Sequence, residues 1–188
     1  MITYGTIITY GGDGVREGEA RPWERHRAAV QEQTAEWLKL RLQYSDHELC
    51  VAGDFNENLD GTRGYGVADA KIAIKRGLAE AQMHCATLND LRSPPFAMSR
   101  ATVNHICLSQ TLRATSRVEA WEGTLDGMHL SDHNGILVDL EIPDVRREAH
   151  VSRQRFVAPT HSKQHHRLHS QSPCWYHAMS ERELILLV

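Results

Sequence analysis

The 188-residue sequence predicts an α/β fold, and three observations carry the prediction. Short apolar runs rich in β-branched residues recur along positions 1–143. Two stretches between them repeat their apolar residues at helical spacing. Gly, Pro and polar clusters separate the two kinds, and such alternation builds helices layered on sheet.

The first strand is expected at Thr6-Ile7-Ile8-Thr9-Tyr10, ended by Gly11-Gly12-Asp13-Gly14. Pro22 suits the first turn of a helix, where its missing N–H costs nothing. From there Val30, Thr34, Trp37 and Leu38, with Trp23 one repeat earlier, mark an amphipathic helix over roughly 22–43. Leu49-Cys50-Val51-Ala52 reads as a buried strand leading into Gly53-Asp54-Phe55-Asn56. A second helix is expected over about 67–82, with Ile72, Leu78 and Ala81 facing inward. After a loop holding Ser93-Pro94-Pro95, strands are expected at 103–108, 117–121 and 135–140.

This length supports one domain, and the composition (41% hydrophobic, 24% charged) is that of a globular chain. No apolar run reaches the eighteen or so residues of a membrane span. The first residues lack the basic and apolar regions of a signal peptide. Cys50, Cys85, Cys107 and Cys174 are scattered, and two of them lie inside apolar strands, which points to free thiols and a cytoplasmic setting. Charge divides the chain at Pro143. Residues 1–143 hold 14 Lys+Arg against 20 Asp+Glu, a balance of −6, and 144–188 hold 7 against 4, a balance of +3. An acidic core is a poor electrostatic partner for long nucleic acid and favours short or small anions.

Beyond Pro143 the pattern stops. Residues 144–188 hold six of the twelve histidines and few aliphatic residues before the last five, so a disordered His-rich tail is expected. On a helix, His161, His165, His166 and His169 would share one side and could hold a transition metal; in a solvated tail they would not. The apolar ending after such a tail has no account at this level.

Three polar segments interrupt the apolar pattern. Gly53-Asp54-Phe55-Asn56 follows a buried strand, and α/β proteins keep ligand and catalytic residues at that edge. Its bland alternative is a Gly-Asp turn. Asn104-His105 enters an otherwise apolar strand, a local conflict of the kind that gathers at functional sites. There the alternative is an edge strand with both residues wetted. Leu130-Ser131-Asp132-His133 precedes the last strand and would present a hard oxygen beside an imidazole; by itself Ser-Asp is equally a cap or turn.

Taken together, GDFN, a strand with a polar-His pair, and SDH before a final strand resemble the endonuclease/exonuclease/phosphatase superfamily over most of residues 6–142. The resemblance implies part of a two-sheet α/β sandwich of deoxyribonuclease I type. It implies a hydrolase of phosphoester bonds using Mg²⁺, or Mn²⁺ in its place, on nucleic acid or a small phosphate ester. Asp54 would take the proton of the attacking water, or contact the metal. Asn56 would hold a phosphate oxygen, and Asp132 would assist metal or histidine placement. His133 would donate to the phosphate, and Tyr10 would add a phosphate contact, although a buried strand-end tyrosine is its plainer reading. The chemistry suits these residue types, because attack on an anionic phosphoester needs positioning and charge neutralisation.

Two departures accompany the resemblance. Asn104 stands where the family has an Asp that steadies the catalytic imidazole, so it brings a hydrogen bond and no charge. The family's N-terminal half, with its metal-binding Asn and Glu, has no counterpart before Tyr10. A late start, a truncated non-catalytic remnant or interaction protein, and one part of a split enzyme are the alternatives. A missing partner sheet would also leave an apolar face open to self-association.

Overall fold

The computed structural model describes residues 1–62, 64–112, 117–141 and 182–187. A parallel ladder begins the fold. Strand β1 (Ile2–Ile7) runs beside β2 (Leu49–Asp54), joined to it through helix α1 (Glu24–Gln43). Helix α2 (Ala68–Glu80) leads to β3 (Met83–Cys85), and β4 (Asn104–Ser109) inserts between β2 and β3, antiparallel to both. The resulting four-stranded sheet has the order β1-β2-β4-β3. Strands β5 (Arg117–Trp121), β8 (Gly135–Glu141) and β9 (Arg182–Leu187) make an antiparallel second sheet in the order β5-β8-β9, and β6 (Thr124–Leu125) and β7 (Met128–His129) form a small hairpin.

Period-two alternation stacks these elements into layers. Leu49 and Val51 of β2 and Cys107 of β4 face the helices, where Val30, Trp37, Ile74 and Leu78 complete one core. The intervening Cys50, Ala52, Ile106 and Leu108 face Ile136, Val138 and Leu140 of β8 in a second core. The α/β class is therefore observed, as helices on one face of a mixed sheet and a further sheet on the other. Among the described residues no helix is long and apolar enough to cross a membrane.

Both helices form within two residues of their expected limits. The inner face of α2 needs correcting: Ile72 is 67% exposed, and Ala70, Ile74, Gly77 and Leu78 are buried. Ile72 lies about half a helical turn from Ile74, so one stripe cannot hold both. The first strand is also shifted. It begins at Ile2 and ends at Ile7, because its ladder follows β2 residue for residue and runs out after Ile8 N–H donates to Asp54 O at 2.8 Å. Strand β4 is central, with all six residues buried, which removes the wetted-edge alternative for Asn104 and His105.

The expected tail also differs where it is described. Residues 182–187 form β9, paired with β8 from Ile136↔Leu187 to Glu141↔Arg182. Leu184-Ile185-Leu186-Leu187 is a short apolar run, and its pairing satisfies backbone groups that β8 would otherwise leave unpaired. The histidines at 161, 165, 166 and 169 lie outside the described residues, as does the rest of 142–181. On the outer side of β5 and β8, Arg117, Glu119 and Asp139 accompany Leu137 and Trp121.

Candidate active site

The site is built where β2 and β4 begin and end side by side. Asp54, the last residue of β2, is the ladder partner of both Ile7 and Asn104, the first residue of β4. Gly53 makes this junction possible. Its φ of +154° is one that side-chain-bearing residues rarely adopt, and a Cβ there would sit 1.8 Å from the Thr6 carbonyl oxygen. The glycine before Asp54 is thus a requirement of β1 approaching closely.

Asp54 is held by its own loop. Its Oδ1 accepts the Asn56 backbone N–H at 2.8 Å, and its Oδ2 accepts from Asn56 Nδ2 at 2.9 Å. Asn56 has a φ of 48°, a left-handed conformation that Asn tolerates better than most residues. Its Nδ2 also donates to Ile8 O at 2.8 Å, so both amide hydrogens are committed inside the protein. In this arrangement Asn56 orients the Asp54 carboxylate.

The imidazole is positioned from the other side. His133 Nδ1 lies 2.9 Å from Asn104 Oδ1, while Asn104 Nδ2 donates to the Asn134 carbonyl at 3.3 Å. The Asn134 carbonyl can only accept, which fixes the Asn104 amide with its oxygen toward the ring. His133 therefore donates from Nδ1, and Nε2 is the nitrogen left to act. This is the tautomer a carboxylate at 104 would select, without the charge. Asp132 Oδ1 is 3.9 Å from that Nε2, on a side chain 80% exposed. Gly123 pins the Ser131-Asp132-His133 loop: its carbonyl accepts from the N–H groups of Leu130 and Ser131, and a Cβ there would meet Ser131 O at 2.1 Å.

Asn56, Asn104, Asp132 and His133 line one cavity of about 540 Å³, with Asp54 one hydrogen bond behind Asn56. Three chain segments far apart in sequence are brought together here. Tyr10 is not among them. It follows β1, is 54% exposed, and its ring lies against Gly12, so it is neither a buried strand-end residue nor part of this lining.

The structure adds residues that the sequence patterns did not single out. Arg92 and Arg100 line the cavity, and the Arg92 guanidinium is paired with Asp90 and lies near Asp60. Arg92 is braced by Asp90, its Nε 2.9 Å from Oδ1, and donates from Nη2 to Thr62 Oγ1 at 2.6 Å. Hydrogen bonds from Arg92 hold the Asp90 carboxyl below its usual range. Behind the site, His26 and Glu57 are fully buried with Nε2 and Oε1 2.9 Å apart, and His26 Nδ1 donates to Thr9 O at 2.6 Å. Their contact ties α1 to the loop following Asn56. A run reading Asn56-Glu57-Asn58 carries only a loop signal in sequence, so its burial was not legible there.

For a metal, Asp54 and Asp132 are the carboxylates of the original expectation. Mg²⁺ is commonly held by one or two carboxylates with water and phosphate completing its octahedron; Asp132 lines the cavity, whereas both Asp54 oxygens accept hydrogen bonds from Asn56 behind it. Among the described residues no three His, Cys, Asp or Glu side chains form a metal-holding group. No protein-family model matches the chain. No curated protein matches it either.

Proposed function

We propose that the chain is a phosphoester hydrolase of the endonuclease/exonuclease/phosphatase type, its layers corresponding to the C-terminal portion of a deoxyribonuclease I-like sandwich. The observation that supports this reading is the His133 imidazole, held by Asn104 with Nε2 left to act, on the wall of a cavity that Asn56 also lines, with the Asp54 carboxylate fixed directly behind Asn56. Asp54 accepts the proton of the attacking water, and His133 Nε2 donates to a phosphoryl or leaving-group oxygen. Arg92 and Arg100 offset phosphate charge at the wall. Asp132, with Asp54, would hold Mg²⁺ or Mn²⁺, which supplies further charge neutralisation when bound. The substrate is a short or small phosphoester, given the −6 balance of residues 1–143, and the setting is cytoplasmic, given the buried thiols Cys50 and Cys107.

The reading is tested by hydrolysis of bis(4-nitrophenyl) phosphate with and without Mg²⁺. Metal-dependent turnover, with a Mg²⁺-raised melting temperature, is expected; its absence from the purified chain would favour the non-catalytic remnant. One observation favours that second reading, namely the neutral Asn104 against His133. The two diverge on one substitution. In a working site Asn104→Asp turns a neutral hydrogen bond into a charge-assisted one, a gain of about 1.4 kcal/mol in stabilising the imidazolium, or about tenfold in rate. In a remnant it leaves the rate at background.

A further inference from the structure

On the helix-facing side of the first sheet, two thiols and an imidazole meet outside the cavity described above. Cys85 of β3 and Cys107 of β4 are direct cross-strand partners. The next pair along carries the ladder hydrogen bond, Ala86 N–H to Ile106 O at 2.9 Å. Cys85 and Cys107 therefore occupy a non-hydrogen-bonded position, where antiparallel Cα atoms approach to about 4.5 Å. That spacing lies inside the range a disulfide spans. Cys107 is fully buried and Cys85 only partly so, which makes Cys85 the less enclosed residue of the pair.

His105 is two residues before Cys107 on the same face, with Nδ1 3.5 Å from Cys85 Sγ and 3.1 Å from Thr87 Oγ1. Its Nε2 lies 2.9 Å from the Glu57 carbonyl, which can only accept, so the neutral ring carries its hydrogen on Nε2 and leaves Nδ1 bare. Nδ1 is then an acceptor aimed at the thiol. Thr87 Oγ1 receives the Ile106 N–H at 3.2 Å and sits 3.5 Å from Cys85 Sγ, so its own hydrogen can turn from the ring to a thiolate.

We propose that Cys85 and Cys107 are a peroxide-reactive dithiol, with Cys85 the attacking sulfur, His105 its base and Cys107 the resolving thiol. Cys85 passes its proton to His105 Nδ1, and the thiolate attacks a hydroperoxide oxygen. An S–O bond forms, the O–O bond breaks, and the leaving oxygen takes the proton from His105, giving a sulfenic acid and water from hydrogen peroxide. Cys107 then loses its proton to His105 and attacks the Cys85 sulfur. The S–S bond forms, the S–O bond breaks, and hydroxide departs with that proton as a second water. Two thiols are oxidised and one peroxide is reduced.

The electrostatics agree with this division of labour. A hydrogen bond from Cys107 lowers the Cys85 thiol well below its ordinary range, with His105 assisting against the cost of burial. Burial, and then Cys85, push Cys107 the other way, so it keeps its proton until it resolves. Burial works against charge on His105, but the Cys85 sulfur, the Glu57 carbonyl and the Asp60 charge together raise the ring above its usual value. Cys50 serves as an internal control, since it belongs to the core on the opposite face of the sheet. None of this depends on the hydrolase reading.

The test treats the folded full-length chain with hydrogen peroxide and maps its peptides without reduction. A linked 85–107 peptide is expected, formed at least about tenfold faster than any oxidation of Cys50. Cys107→Ser should instead accumulate a dimedone-reactive sulfenic acid on Cys85, and Cys85→Ser should leave Cys107 unoxidised. Since replacing His105 could disturb the Glu57 loop, Thr87→Val gives a gentler second variant, expected to slow sulfenic acid formation. Absence of the 85–107 link, oxidation of Cys50 at the same rate, or oxidation of Cys107 in Cys85→Ser would overturn the proposal.

Discussion

With the proposed hydrolase chemistry, Asp54→Ala is expected to lower Mg²⁺-dependent phosphodiester turnover by about 10³-fold, within the range a positioned proton acceptor contributes. The size follows from where the carboxylate sits. It closes β2, both its oxygens are held by Asn56, and no other carboxylate is bonded to that residue. Removing it leaves the Asn56 N–H and one Nδ2 hydrogen without their acceptors, which costs about 2 kcal/mol and lowers the melting temperature by about 4–8 °C. The variant therefore remains folded while turnover disappears. An Asp54→Ala protein that hydrolyses at the wild-type rate would remove Asp54 from the chemistry.

Gly53→Ala has a large expected effect on stability. The new Cβ would meet backbone, the Thr6 carbonyl 1.8 Å away, so no side chain can swing aside. The φ of +154° adds conformational strain. Together these cost about 3 kcal/mol or more, lowering the melting temperature by about 6–12 °C. Relief requires β1 to separate from β2, which also displaces the Ile8 carbonyl that anchors Asn56. Thermal melting checks the prediction; a variant melting with the wild type would mean that β1 does not lie where described.

How much of this was legible follows from the range of each interaction. Helices α1 and α2 and strands β2, β4, β5 and β8 were readable because apolar periodicity is local. Segment β3 was not, since three residues after a helix are too short to show alternation. Strand β9 escaped because its pairing with β8 spans a long stretch of polar sequence, and only the partner edge explains it. At the site, Asp54, Asn56, Asp132 and His133 were visible as polar interruptions at strand ends. Their partners were less so. That Asn104 presents its oxygen to His133 depends on the Asn134 carbonyl, and Arg92 and Arg100 reach the cavity from loops with no pattern of their own. Tyr10 lies beyond the strand and outside the cavity lining, because β1 ends three residues earlier than its composition suggests.

Coupling between residues 54 and 133 is the quantity to measure, by steady-state hydrolysis in wild type, Asp54→Ala, His133→Ala and the double variant. Groups acting on one substrate as a unit lose nearly everything with the first removal, so the double variant should fall no further than the slower single one, within about threefold. Losses that multiply, or four rates that coincide, would contradict a shared site.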